Sequence, residues 1–303
     1  MSNKIIDPVR ALDYLEIILG KDWLEENLKV MKDSQYGKGG FGRSIDYNEL
    51  GIAHVAEIWY KAREEIIDME IVGGGSPGPY LLSASAVAND IDLLKGSTGL
   101  KEKMDKLRDA GLSLITMHEL GIASGYAQKG FHIDFINQKA ADLPSTGGLP
   151  VPLCIGSFTA YDEVNKIVVV CADVDRQGVY GEILARILRL QADQLDQFAP
   201  KSGKVMQTVN GGEAPYLPVL YLYVGDAPAD AASFLDEWIN RPDVVRLAHD
   251  FNMPVLVCAD GVKNTHNRST YVRLGRLAQN SNVVGGASLV NDIYVPDEQI
   301  TAV

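Results

Sequence analysis

Apolar side chains recur at three- and four-residue spacings through the first part of the chain. Across 46–69, Leu50, Ala53, Val55, Ile58, Trp59, Ala62, Ile66 and Met69 fall on one side of a helix, as an amphipathic helix requires. Shorter helices are expected over 9–19 and 23–31. Between these helices lies Gly37-Lys38-Gly39-Gly40-Phe41-Gly42-Arg43, which spells the three-glycine dinucleotide pattern. That fingerprint must follow a strand and open a helix, and helices flank it here, so it reads as a loop. Gly73-Gly74-Gly75-Ser76-Pro77-Gly78-Pro79 and Gly96-Ser97-Thr98-Gly99 are the strongest breaks. They place a boundary near residue 100, with a helical region over 1–99.

From 100 to 303 the period changes repeatedly, as in an α/β domain with a mixed sheet. Helices are expected over 100–110 and 112–128, and the alternation in Phe131-His132-Ile133-Asp134-Phe135-Ile136 is that of a strand. The extended segments 151–161 and 166–174, separated by Asp162-Glu163-Val164-Asn165, form a β-hairpin. A long helix follows, with Tyr180, Ile183, Leu184, Ile187, Leu188, Leu195 and Phe198 on its apolar face. Strands over 217–224 and 254–258, helices over 229–239 and 244–250, and a terminal helix over 271–279 complete the pattern. Tyr216, Tyr221 and Tyr223, alternating along one strand, read as sheet packing.

Composition agrees with a folded chain, since 46% hydrophobic and 22% charged residues suffice for a real core with a polar surface. The start, Met1-Ser2-Asn3-Lys4-Ile5-Ile6-Asp7-Pro8, carries no apolar leader, and no stretch is long enough to span a bilayer. A cytoplasmic protein without membrane partners is the expectation. Cys154, Cys171 and Cys258 sit singly in apolar runs and read as buried thiols, and the five histidines are scattered, which argues against zinc. A net charge of −12 opposes broad coating of nucleic acid. One local patch runs the other way: Lys263, His266, Arg268, Arg273 and Arg276 occur without an intervening acid. It reads either as a phosphate-facing surface or as the solvated face of a C-terminal helix.

The chemistry suggested by the sequence is acidic. The run Ile167–Val170 leads through Cys171-Ala172 to Asp173-Val174-Asp175-Arg176-Gln177-Gly178, two carboxylates with one residue between them at the end of a buried strand. Together with Glu119 and Asp142 they form a candidate Mg²⁺ set, in which the ion would activate water and neutralise a phosphate. The competing reading is that these aspartates end the strand and cap the next helix.

The order Glu119-Leu120-Gly121-Ile122-Ala123, then Lys129 to Ile136, then Ala141-Asp142-Leu143, then a hairpin and a helix carrying Gln191 and Gln194, resembles the PD-(D/E)XK nuclease-like core. The resemblance covers roughly residues 110 to 260. It implies a three-layer, restriction-endonuclease-like α-β-β-β-α-β fold with a mixed sheet, and Mg²⁺-dependent hydrolysis of DNA or RNA. Glu119, Asp142 and Asp173 would hold the metal, Asp175 would assist, and Gln191 or Gln194 would orient nearby groups. Lys263, Arg268, Arg273 and Arg276 would meet phosphates. The chain departs from the pattern where Ala141-Asp142 stands for Pro-Asp and Cys171-Ala172-Asp173 for Glu-x-Lys. The alternative expectation is therefore an inactive nuclease-like scaffold, a subunit of a larger assembly with protein partners. Asp173-Val174-Asp175-Arg176-Gln177-Gly178 is also similar to the Asp-x-Asp-x-x-Gly element of Toprim domains, with Glu119 as the upstream acid.

Overall fold

The computed structural model describes residues 7–37, 50–135, 155–163, 166–173, 206–209, 212–226, 231–242, 244–245, 255–265, 268–277 and 299–301. Its described elements are α1 (Pro8–Leu19), α2 (Lys21–Gly37), α3 (His54–Ile71), α4 (Pro79–Leu93), α5 (Leu100–Leu107), α6 (Ser113–Gln128), β1 (His132–Phe135), β2 (Ile155–Tyr161), β3 (Lys166–Asp173), β4 (Met206–Val209), β5 (Gly212–Asp226), α7 (Ala231–Ile239), β6 (Val255–Thr265), β7 (Arg268–Leu277) and β8 (Gln299–Thr301). The fold is α/β with a mixed sheet. Two compact units divide the chain: Met1–Ser124 with Val262–Val272 and Glu298–Val303, and Gly125–Gly261 with Arg273–Asp297. The first division falls inside α6.

Local chemistry sets the helices of the first unit. The Asp7 carboxylate accepts from the Val9 amide at 2.9 Å, and Pro8 supplies a first turn that needs no amide donor, so α1 begins there. Ala11, Leu12, Leu15 and Leu19 form its buried stripe, and Gly20, at φ 88°, ends it. The Arg108 guanidinium donates to the Leu19 and Ile18 carbonyls at 2.9 and 3.1 Å, satisfying acceptors the helix end leaves open. Of the helix expected over 46–69, residues 54–69 fall in α3, which starts only at His54 and buries Val55, Ala56, Ile58, Trp59, Tyr60 and Ala62; residues 50–53 precede it, and 46–49 lie outside the described residues. Gly73 and Gly74, both at positive φ, stop it, and their amides donate to the Glu70 and Met69 carbonyls.

The glycine-rich break is followed by α4, which packs against α1 and α3. Its start is capped from outside: the Glu65 carboxylate accepts from the Tyr80 and Leu81 amides at 3.2 and 2.8 Å. A Cβ at Gly78 would lie 2.3 Å from that carboxylate. Gly78→Ala is accordingly expected to displace Glu65 and cost about 0.5–2 kcal/mol, the range for a lost cap. Once Glu65→Ala has removed the cap, the same change should cost nothing. Urea unfolding of the two single variants and the double variant checks this, and additive losses would reject it.

The strand order is β1-β2-β3-β5-β6-β7-β8, with β4 pairing β5 off this path. β1, β2 and β3 are an antiparallel meander in which Phe135 faces Phe158 across one pair and Phe158 faces Val169 across the next. β3 and β5 are parallel, as are β5 and β6, and α7 lies in the crossover between the latter two. Alternate residues are buried on both faces of β5, from Val219 to Val224, which marks a central strand. Tyr126 of α6 covers one face of the meander: its ring lies 5.8 Å from that of Phe158, edge to face.

The sequence predicts a helix over 271–279, whereas residues 268–277 are the strand β7, paired with β8 through Tyr271↔Ile300. The run Thr270-Tyr271-Val272 explains the difference, since β-branched and aromatic side chains suit a pleated surface better than a helix. The strand expected over 254–258 likewise continues to Thr265. The Gly37–Arg43 loop beyond Gly37 and the long helix after Gly178 lie outside the described residues.

Candidate functional site

Glu119, expected to ligate Mg²⁺ from the helix before the first strand, is on α6 as predicted. Its carboxylate is not open. Lys103 Nζ lies 2.6 Å from Glu119 Oε1, and both side chains are 1% exposed. Three further features fix this corner of the first unit. The Ser113 hydroxyl accepts from the Val55 amide at 3.0 Å, and the Ser124 hydroxyl donates to buried Asp90 at 2.6 Å and to the Gly121 carbonyl at 2.9 Å. Nearly every residue from Ser113 to Ser124 is buried, so α6 has no solvent face on which Glu119 could stand. The field of the pair extends along α5: burial, and then the Lys103 charge, depress the Lys106 ammonium below its usual range, with Glu119 opposing.

Asp173 closes β3, in register with Tyr223 of β5. Cys171 and Ala172, which with Asp173 stand where the resemblance expects Glu-x-Lys, are fully buried. Cys171 is in register with Tyr221, whose hydroxyl lies 2.7 Å from that of Tyr126. Burial drives the Tyr126 phenol well above its ordinary range despite that hydrogen bond, with Cys171 and Cys258 adding to the rise. Cys258 is buried as expected, and Cys154 lies outside the described residues. This stretch of the sheet is therefore a packed interior of hydroxyls and thiols beneath α6. Asp142, Asp175, Gln191 and Gln194 lie outside the described residues.

The basic patch is rearranged by the change from helix to strand. Arg273 is buried, 7% exposed, and its Nε lies 3.7 Å from Asp260 Oδ1, so it is an interior ion pair rather than a surface phosphate ligand. Arg276, three residues on and of opposite parity in the strand, is exposed, with Nε 3.9 Å from Asp236. Lys263 and Arg268 fall in β6 and β7. His266 lies outside the described residues.

Two features escaped the sequence reading. Lys103 sits with Leu100 and Leu107 at the spacing of an apolar helical stripe, and a lysine in that stripe was the available signal. Asp226, the last residue of β5, pairs in register with Asp260, midway along parallel β6. Alternation within one strand cannot reveal a pairing between two.

Mg²⁺ requires several oxygen ligands around one open point and keeps part of its water shell. Among the described residues no three His, Cys, Asp or Glu side chains converge in that way, and Glu119 already faces an ammonium group. These residues do not fit a Mg²⁺ centre built on Glu119. No helix among the described residues is long and apolar enough to cross a membrane. Comparison with protein-family models and with curated proteins finds no match for the chain.

Proposed function

We propose that the chain is a restriction-endonuclease-like α/β fold that acts without metal-dependent hydrolysis, as an interaction subunit of a larger assembly. The fold reading is supported by the order α6, β1, β2, β3 and then β5 parallel to β3, to which the short β4, paired with β5 off the main path, is an addition to the α-β-β-β-α-β plan. The observation that carries the loss of hydrolysis is on β3. Cys171, which is buried, stands at the position that would supply the acid, and Asp173 at the position that would supply the lysine. A thiol in a packed interior does not supply an oxygen ligand to Mg²⁺, and a carboxylate does not supply the positive charge of a lysine.

A second reading, Mg²⁺-dependent cleavage of DNA or RNA, draws on the position of Asp173 at the carboxyl end of a parallel strand, with Asp142, Asp175 and Gln191 as its remaining candidates. One assay separates the two. The full chain, incubated with single- and double-stranded DNA and RNA in Mg²⁺, is expected to give no cleavage above the level in chelator. The Asp142→Ala and Asp173→Ala variants should be indistinguishable from it. Cleavage that requires Mg²⁺ and disappears in Asp173→Ala would establish the hydrolase instead.

A further inference from the structure

α5 turns two buried positions inward, Lys103 and Leu107. A lysine is almost never fully buried unless a partner compensates its charge, and the helix that follows supplies the partner in Glu119. The 2.6 Å contact is a charge-assisted hydrogen bond from Nζ to Oε1. In the nuclease-like reading of α6, on which this inference rests, the acid at this place on the helix faces a divalent cation. Here the neighbouring helix brings a covalently attached cation to the same carboxylate.

We propose that Lys103 is a built-in replacement for the metal at Glu119. The ammonium group supplies the positive charge that the carboxylate needs in order to be buried, and it does so whether or not Mg²⁺ is present. Several features of the site agree on this. Glu119 is 1% exposed, which leaves no room for an ion that keeps its own water. The Lys106 ammonium on the same helix is depressed chiefly by burial, with the Lys103 charge adding to the effect and Glu119 opposing it. The remaining polar contacts of this part of α6, Ser113 to the Val55 amide and Ser124 to Asp90, tie helices of the first unit together rather than opening a cavity. The pair thus docks α5 on α6, a structural duty left where the resemblance implies a catalytic one.

The test uses the full chain with the metal alone. Mn²⁺, a paramagnetic substitute for Mg²⁺, is titrated into isotope-labelled protein, and the amide resonances of α5 and α6 are followed. Those of Lys103 and Glu119 are expected to keep their linewidths, even if ions collect elsewhere on this acidic chain. Selective broadening at Glu119 would overturn the proposal without any variant being made. In parallel, calorimetric titration compares Mg²⁺ binding by the wild type with binding by the uncharged pair Lys103→Met with Glu119→Leu. Equal affinity, or none in either, is expected, whereas a loss of roughly tenfold or more in the variant would place Glu119 among the ligands. The outcome is separable from that of the proposed function. Metal-dependent cleavage abolished by Asp173→Ala would remove the non-catalytic reading and leave Lys103 as the cation at Glu119, and broadening at Glu119 would do the reverse.

Discussion

Lys103→Met lowers the free energy of unfolding by about 3–5 kcal/mol, the cost of removing one partner from a buried ion pair. Methionine fills nearly the same volume as the lysine stem, so the loss does not come from a cavity. It comes from Glu119, whose carboxylate would remain 1% exposed and without the ammonium now 2.6 Å away. Glu119→Gln should be costly for the reciprocal reason, because it removes the negative charge that faces a buried ammonium. The double variant Lys103→Met with Glu119→Leu is expected to lie much closer to wild type than either single change, since it removes both desolvation penalties together. Urea denaturation of the four proteins measures this coupling. Single changes costing under about 1 kcal/mol would assign the pair the small energy of a surface salt bridge and contradict the burial argument.

The sequence revealed those elements whose pattern is fixed within the element itself. Helix α3 was legible because Val55, Ile58, Trp59 and Ala62 repeat at helical spacing, and the β2–β3 hairpin because a polar turn separates two apolar runs. The sequence pattern does not predict helix α4. Leu81, Leu82, Ala84, Ala86, Val87 and Ala88 are buried around much of its circumference, so no stripe distinguishes it from a loop that follows glycines. The candidate site was less legible than the fold for a related reason. Glu119 was correctly placed on a helix, but its environment depends on Lys103, sixteen residues earlier and on another helix. Spacing alone puts Arg273 on the surface, because it cannot show that Asp260, on a separate strand, meets it inside. Secondary structure follows local periodicity, whereas the protonation, access and partners of a carboxylate follow tertiary contacts that no local window contains.

In the sheet, Phe158→Ala is expected to cost about 3–5 kcal/mol, the range for truncating a buried aromatic ring. Phe158 is fully buried in the middle strand of the meander, in register with Phe135 on one side and Val169 on the other. Its ring meets those of Phe135 at 6.0 Å and Tyr126 at 5.8 Å, and Tyr126 in turn meets Phe131 at 5.8 Å. Deleting it removes two edge-type aromatic contacts, about 0.5–1.5 kcal/mol each, and opens a cavity that flanking strands cannot close without breaking their ladders. Tyr126→Phe keeps the rings and gives up the hydroxyl contact to Tyr221, so it should cost about 0.5–1.5 kcal/mol. Equilibrium unfolding of both variants, with near-ultraviolet circular dichroism reporting the aromatic packing, tests the ordering. If Tyr126→Phe proved the more damaging, the hydroxyl and thiol groups beside Cys171 would be what holds α6 to the sheet, and ring packing would be secondary.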